Sequence, residues 1–146
     1  MFPYHYPTDH RSLFDNFGKF LRDVEKAAND EAQAALFYTQ LMDMAEKEFD
    51  KEQIKHARDD ERKHLCQLRR LYYSLTGRYP AVEEPVPTET TYKAGLRKAF
   101  QDELEAAEFY RAMLLATRDM HIRDLLFEIM IDEMEHADRF SFIYPK

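Results

Sequence analysis

A single cysteine, Cys66, stands in a chain of 146 residues, and tryptophan is absent. One thiol excludes an intramolecular disulfide and any Cys-x-x-Cys metal knuckle. Cys66 comes two residues after His64, which on a helix is a different face, so it reads as a thiol on a helix flank. Glycine is scarce, with three residues, and the chain is 34% charged and 45% hydrophobic, values that suit a soluble helical protein. No stretch of about 18 apolar residues is present to cross a membrane, and no signal peptide is visible, so no membrane partner and a cytoplasmic location are expected. The formal net charge of −7 argues against a nucleic-acid partner. Mixed-sign runs such as Arg58-Asp59-Asp60-Glu61-Arg62-Lys63 mostly read as solvated helix faces, with only Glu61 of this run on an apolar seam. The length fits one domain with a sizeable core.

What the chain does contain is an internal echo. Glu31 recurs as Glu103, Glu61 as Glu133 and His64 as His136, always 72 positions on. The same offset pairs Lys26 with Lys98, Asp30 with Asp102, Ala34 with Ala106, Phe37 with Phe109, Tyr38 with Tyr110 and Asp60 with Asp132. A period this long is a duplicated two-helix unit, not a solenoid of short repeats.

Each expected helix carries an apolar seam with alternating steps of four and three. The seams read Phe20, Val24, Ala27, Glu31, Ala34, Tyr38, Leu41, Ala45; then Ile54, Ala57, Glu61, His64, Leu68, Leu71, Leu75. In the second half they read Tyr92, Leu96, Ala99, Glu103, Ala106, Tyr110, Met113; then Ile122, Leu126, Ile129, Glu133, His136, Phe140, Ile143. Steps averaging about 3.5 residues keep one stripe on the bundle axis. Four glutamates and two histidines therefore fall where a packed core would use leucine. An unpartnered carboxylate costs several kcal/mol to bury, and four on one axis repel one another. Two divalent cations would cancel that charge, which makes Glu31, Glu61, His64, Glu103, Glu133 and His136 the candidate metal ligands. Ala34 and Ala106 then read as small residues that leave room for metals and a small ligand.

The first helix is expected over about 17–49, the second over about 51–75, the third from Thr88 or Glu89, and the fourth from Met120 to before Pro145. Residues 77–88 hold Pro80, Pro85 and Pro87 and read as a linker. At roughly 3.3 Å per residue these twelve span about 40 Å, the length of a helix of about 25 residues. The expected fold is thus an all-α antiparallel four-helix bundle, two pseudo-symmetric hairpins joined by one long crossover. Residues 1–16 read as an N-terminal arm and 17–146 as the bundle domain. Pro3 and Pro7 bar a regular helix in the arm, and its His5 and His10 carry only a weak metal signal. His56 and His121 lie off the seams and are expected to face solvent.

Glu31-x6-Tyr38 and Glu103-x6-Tyr110, each followed by Glu-x-x-His, resemble the ferritin-like di-iron carboxylate superfamily, and within it the rubrerythrin (erythrin) branch. The likeness runs from about Phe17 to Tyr144. It implies Glu61 and Glu133 as bridging carboxylates, Glu31 and Glu103 as terminal ligands, and one of His64 and His136 on each metal. It implies that Tyr38 and Tyr110 hydrogen-bond ligand carboxylates near the centre. Asp60 and Asp132 would each hold the histidine of the opposite half, Asp60 that of His136 and Asp132 that of His64. Two departures stand out. The rubredoxin module with its Cys-x-x-Cys pairs is missing, so a separate electron donor protein is expected, and the site of an extra third-helix Glu in many rubrerythrins is here Ala106.

Carboxylate oxygen with imidazole suits iron or manganese, and zinc can occupy the same site. The resulting expectation is two metal ions per chain, most readily iron, reducing hydrogen peroxide or O2. A ferroxidase that binds and stores iron is the alternative. A homodimer or larger homo-oligomer is expected in either case.

Overall fold

Among the described residues, three of the four helices open on a side-chain cap. In this computed structural model, which describes residues 10–146, a 3-10 turn at His10–Leu13 precedes α1 (Phe17–Met44), α2 (Glu48–Thr76), α3 (Tyr92–Leu115) and α4 (Met120–Ile143). Asn16 accepts the Lys19 N–H at 2.9 Å, Thr91 that of Ala94 at 3.3 Å, and Asp119 that of Ile122 at 3.0 Å. These contacts satisfy donors that a helix start leaves free. α2 lacks such a cap at Lys47 and instead places Glu48 and Asp50 in its first turn, against the positive end of the helix dipole. It stops at Gly77, whose φ of 78° suits a left-handed C-cap.

Two boundaries differ from the sequence reading. α1 ends at Met44, not near Phe49, and α2 starts at Glu48. No glycine or proline marks that turn, and Glu46-Lys47-Glu48 are good helix formers, so nothing local announces it. α3 begins at Tyr92, later than Thr88 or Glu89. Gln40 of α1 binds both the N–H and the C=O of Thr88 at 3.0 Å, which holds that residue in the crossover.

The helices form two antiparallel hairpins, α1–α2 and α3–α4, joined by a crossover over 77–91. The Tyr92 hydroxyl donates to Asp50 at 3.0 Å, which puts the starts of α2 and α3 at one end and makes these helices parallel. This is the expected all-α four-helix bundle with one long connection. The core falls into two apolar clusters, one around Phe20, Val24, Leu71 and Leu126, the other around Leu41, Ile54, Leu96 and Phe140. The glutamate and histidine layer lies on the same seams: Glu31 and Ala34 come between Val24 and Leu41, and Glu133 between Leu126 and Phe140. Of the seam residues, only Ala34, Tyr92 and Ala106 fall short of full burial.

Residues 1–9 lie outside the described residues, and with them His5 and most of the expected arm. The part that follows is tied to the α3–α4 turn. Phe14 is buried, the Arg118 N–H donates to the Leu13 carbonyl at 2.7 Å, and the Asp15 N–H to that of Ala116 at 3.0 Å.

Candidate metal centre

Glu31, Glu61, His64, Glu103, Glu133 and His136 are all buried, with 2% exposure or less. One helix supplies Glu31, the next Glu61 and His64, the third Glu103, and the fourth Glu133 and His136. A glutamate and a histidine three residues on share a helix face, so α2 and α4 each offer a carboxylate and an imidazole to one point. His64 Nδ1 lies 3.5 Å from Glu31 Oε2, 3.4 Å from Glu61 Oε1 and 3.3 Å from Glu133 Oε1. His136 Nδ1 lies 3.1 Å from Glu103 Oε2, 3.3 Å from Glu61 Oε1 and 3.4 Å from Glu133 Oε1.

The two glutamate pairs are not equivalent in this geometry. One oxygen each of Glu61 and Glu133 sits near both imidazoles, while Glu31 reaches only His64 and Glu103 only His136. Two four-donor groups result, Glu31-Glu61-His64-Glu133 and Glu61-Glu103-Glu133-His136, sharing Glu61 and Glu133. Donors about 2.1 Å from one ion sit roughly 3.0–3.4 Å from each other, so the spacing fits a metal in each group. Glu31 Oε2, Glu61 Oε1, Glu133 Oε1 and His64 Nδ1 are buried without a hydrogen-bond partner. Buried polar atoms are ordinarily paired, and these four are the donor set of the Glu31-Glu61-His64-Glu133 group. The residues present therefore fit two metal ions, and the buried clusters can hold them.

The surrounding contacts run between the halves. His64 Nε2 lies 2.8 Å from Asp132, and His136 Nε2 lies 2.7 Å from Asp60. A carboxylate only accepts, so Nε2–H donates in each pair and Nδ1 is the ring atom turned to the centre, where His136 Nδ1 meets Glu103 at 3.1 Å and a metal would displace its proton. The Tyr110 hydroxyl donates to Glu31 at 2.7 Å, and that of Tyr38 to Glu103. Burial, and then the charge of Glu103 or Glu31, pushes both phenols well above their usual range, so they stay protonated as donors. Burial pushes Asp60 up, but the hydrogen bond from His136 outweighs it and holds the group below the usual carboxylate range.

In the metal-free protein, protons take over the neutralisation. Burial, reinforced by the Glu133 charge, raises Glu31 to about 8 and Glu103 to about 7. Burial and the Glu31 charge lift Glu61 well above the carboxylate range. Glu133 is the exception: burial raises it, but hydrogen bonds with His136 and His64 prevail and hold it at about 2. Burial disfavours charge on the imidazoles, yet the carboxylates around His64 and His136 carry both well above the ordinary range.

A cavity of about 430 Å³ opens between α1 and α3 onto this layer. Glu31, Glu61, Glu103, Glu133, Tyr38 and Tyr110 line its inner part. Ala34 and Ala106, the paired seam residues that escape full burial, line it as well.

Comparison with known proteins places the chain as follows. No family model matches it. It is 30% identical over 117 residues to the uncharacterized protein YhjR of Bacillus subtilis (strain 168), covering 80% of this chain and 81% of that protein. The chain belongs to the YhjR family. A hypothetical protein from Pyrococcus furiosus shares the fold, with a TM-score of 0.78 at 24% identity over 86% of this chain and 87% of that one.

Some contributors escaped the sequence reading. Asn29, Gln33 and Gln40 each grip a crossover residue or its neighbour with both ends of the amide. Asn29 binds the Ala81 carbonyl at 3.0 Å and the Glu83 N–H at 2.7 Å, and Gln33 binds Val86 at 2.6 and 2.9 Å. A signal was available: their partners 72 positions on are Gln101, Glu105 and Ala112, so the echo breaks along this face. His56 is exposed as expected, but it also sits 3.3 Å from both Asp60 and Glu135. Cys66 and His121 lie exposed on their helices.

Proposed function

We propose that the protein is a rubrerythrin-like di-iron carboxylate oxidoreductase that reduces hydrogen peroxide or O2 at the buried centre. The observation that carries this reading is the convergence of four unpartnered buried donor atoms in one four-donor group, beside a second group that shares Glu61 and Glu133 with it. Glu31, Glu61, Glu133 and His64 would hold one ion and Glu103, Glu61, Glu133 and His136 the other. Iron bound there would supply one electron per ion to the oxidant. The chain's own residues do the rest. Asp60 and Asp132 fix the imidazole orientation, Tyr38 and Tyr110 hold the terminal carboxylates and keep a proton close to them, and the helix layers on either side exclude water from the floor of the site. A separate protein returns the electrons.

The exposed outer face of α3–α4 supports self-association, and a homodimer is the proposed assembly. Phe127, Ile131 and Met134 are 53%, 42% and 50% exposed on consecutive turns of α4. An apolar stripe of this kind is a frequent mark of an interface.

Anaerobic addition of hydrogen peroxide to the di-Fe(II) protein tests the activity. Oxidation is expected to be fast in the natural chain, while Glu61→Ala, which loses its iron, should show only the rate of free Fe(II), and equal rates would overturn it. Metal analysis after iron-supplemented expression should find two Fe per chain. A shell of a dozen or more subunits that retains added iron would favour the storage reading.

A further inference from the structure

The cavity over the centre is much larger than its proposed oxidants need. Hydrogen peroxide needs roughly the space of one or two waters, about 30–60 Å³. The cavity holds about 430 Å³ with its floor of candidate ligands included; two ions taking about one water's room each, roughly 60 Å³ together, still leave it within the range of roughly 300–1,000 Å³ typical of pockets for organic ligands. Its walls between mouth and floor are Ala27, Ala34, Phe37, Ala106 and Phe109. A small polar oxidant gains nothing from such walls, whereas a hydrocarbon group does, at about 25 cal/mol per Å² of apolar surface removed from water.

The mouth is built across the two halves. Lys26 pairs with Asp30 at 2.5 Å and lies over the Phe109 ring at 5.0 Å; Lys98 pairs with Asp102 at 2.5 Å and lies over Phe37 at 5.5 Å. Each ammonium is already matched by a carboxylate. With Glu105 also on the lining, the rim sets three carboxylates against two ammonium groups, so it repels an anion and offers a cation no unpaired buried partner, which leaves a neutral ligand as the best fit. The floor, by contrast, is polar, with both tyrosine hydroxyls and the four glutamates.

A ligand that matches this profile is neutral, with an apolar body and one small polar head directed at the floor. Resting on the proposed oxidoreductase reading, we infer that the substrate class is an organic hydroperoxide, ROOH, with R held between Phe37 and Phe109 over Ala34 and Ala106. The reaction balances as ROOH plus two electrons and two protons giving ROH and water. The O–O bond breaks, iron held by the two donor groups would supply the two electrons, and the protons come from solvent through the cavity mouth.

Two measurements test it. In the first, cumyl alcohol, the product of cumene hydroperoxide, is titrated into the zinc-loaded protein, which is redox-inert, and followed by NMR of the alanine methyl groups. Saturable shifts at Ala27, Ala34 and Ala106 are expected, with the Ala27 shift lost in Ala34→Leu/Ala106→Leu. Absence of saturation, or binding untouched by the leucines, overturns the inference. Ala34→Val is the milder variant should the double one fail to retain zinc. In the second, the di-Fe(II) protein is mixed anaerobically with cumene hydroperoxide or hydrogen peroxide. Both should oxidise it, and the leucines should lower the cumene-to-hydrogen-peroxide rate ratio about ten-fold or more, as added methylenes in a pocket do. Oxidation by hydrogen peroxide alone overturns the inference and leaves the oxidoreductase reading standing. Oxidation by neither overturns both.

Discussion

The two hairpins are near copies inside and unlike outside. Inside, the candidate ligands, the tyrosines, the aspartates and the mouth lysines all recur at 72 positions, and the tyrosine–glutamate and histidine–aspartate contacts each have a mirror, whereas the His136–Glu103 hydrogen bond does not. Outside, Phe127, Ile131 and Met134 of α4 answer to Lys55, Asp59 and Arg62 of α2, and Leu115 and Met120 answer to Asp43 and Glu48. Likewise the amides that grip the crossover from α1 have no counterpart set on α3. The inner faces are constrained alike because both halves contribute side chains to the same buried donor groups. The outer faces meet different neighbours, so they have diverged: one carries the crossover and solvent, the other a strip of exposed apolar side chains.

The strongest way to break the inner symmetry is to remove a shared ligand. Glu61→Ala and Glu133→Ala should each lose both ions, by more than the roughly 100-fold reached by removing an outer hydrogen-bond partner. Glu31→Ala or Glu103→Ala should release one ion and keep the other. Metal stoichiometry by elemental analysis separates these outcomes, and a loss of one ion from Glu61→Ala would refute the shared role. Next in size, Asp60→Ala and Asp132→Ala should weaken metal binding about 10–100-fold each, and by similar factors if the halves are equivalent. Calorimetric titration with Mn(II) reads this directly.

The pH response sharpens the same point. Glu31 and Glu103 rise from their ordinary values to about 8 and 7 in the folded protein. The folded state therefore binds more protons than the unfolded chain between about pH 4.5 and 8, and stability of the metal-free protein falls as pH rises through that window. Metals replace those protons, so binding should release protons and tighten toward pH 8. Thermal melts at pH 5 and pH 8 should show a drop for the metal-free protein that metal removes, and a flat metal-free profile would contradict the assignment.

The outer asymmetry predicts smaller effects. Asn29→Ala and Gln33→Ala each remove two hydrogen bonds to the crossover and should cost about 1–2 kcal/mol, whereas Gln101→Ala and Glu105→Ala at the matching positions should stay within about 0.5 kcal/mol. Urea denaturation compares the pairs. Smallest for the fold is the change Phe127→Lys with Ile131→Asp and Met134→Arg, which gives the second half the charges of the first. It should leave metal content and stability nearly unchanged and shift sedimentation from dimer to monomer.

Much of the candidate site was legible because it rests on residue type and spacing. A glutamate on a seam is conspicuous in any chain, and two copies in register are more so. The crossover was legible from its prolines, and its reach followed from chain geometry. The end of α1 was not, since Glu46-Lys47-Glu48 favours helix and no glycine or proline marks the turn. The start of α3 was misplaced because Thr88 is held by Gln40 from 48 positions away.

By itself, then, the sequence determined which side chains face the axis, since helical periodicity is a property of neighbours along the chain. It also determined that a carboxylate layer needs a compensating charge, because burial of four glutamates has one sign of cost whatever the fold. Only the tertiary structure decided the partners: Tyr38 with Glu103, Tyr110 with Glu31, and Glu61 and Glu133 each between both imidazoles. Those contacts, like the cavity that opens over Ala34 and Ala106, depend on how far apart the helix axes settle when the two apolar clusters pack, and no local pattern encodes that distance.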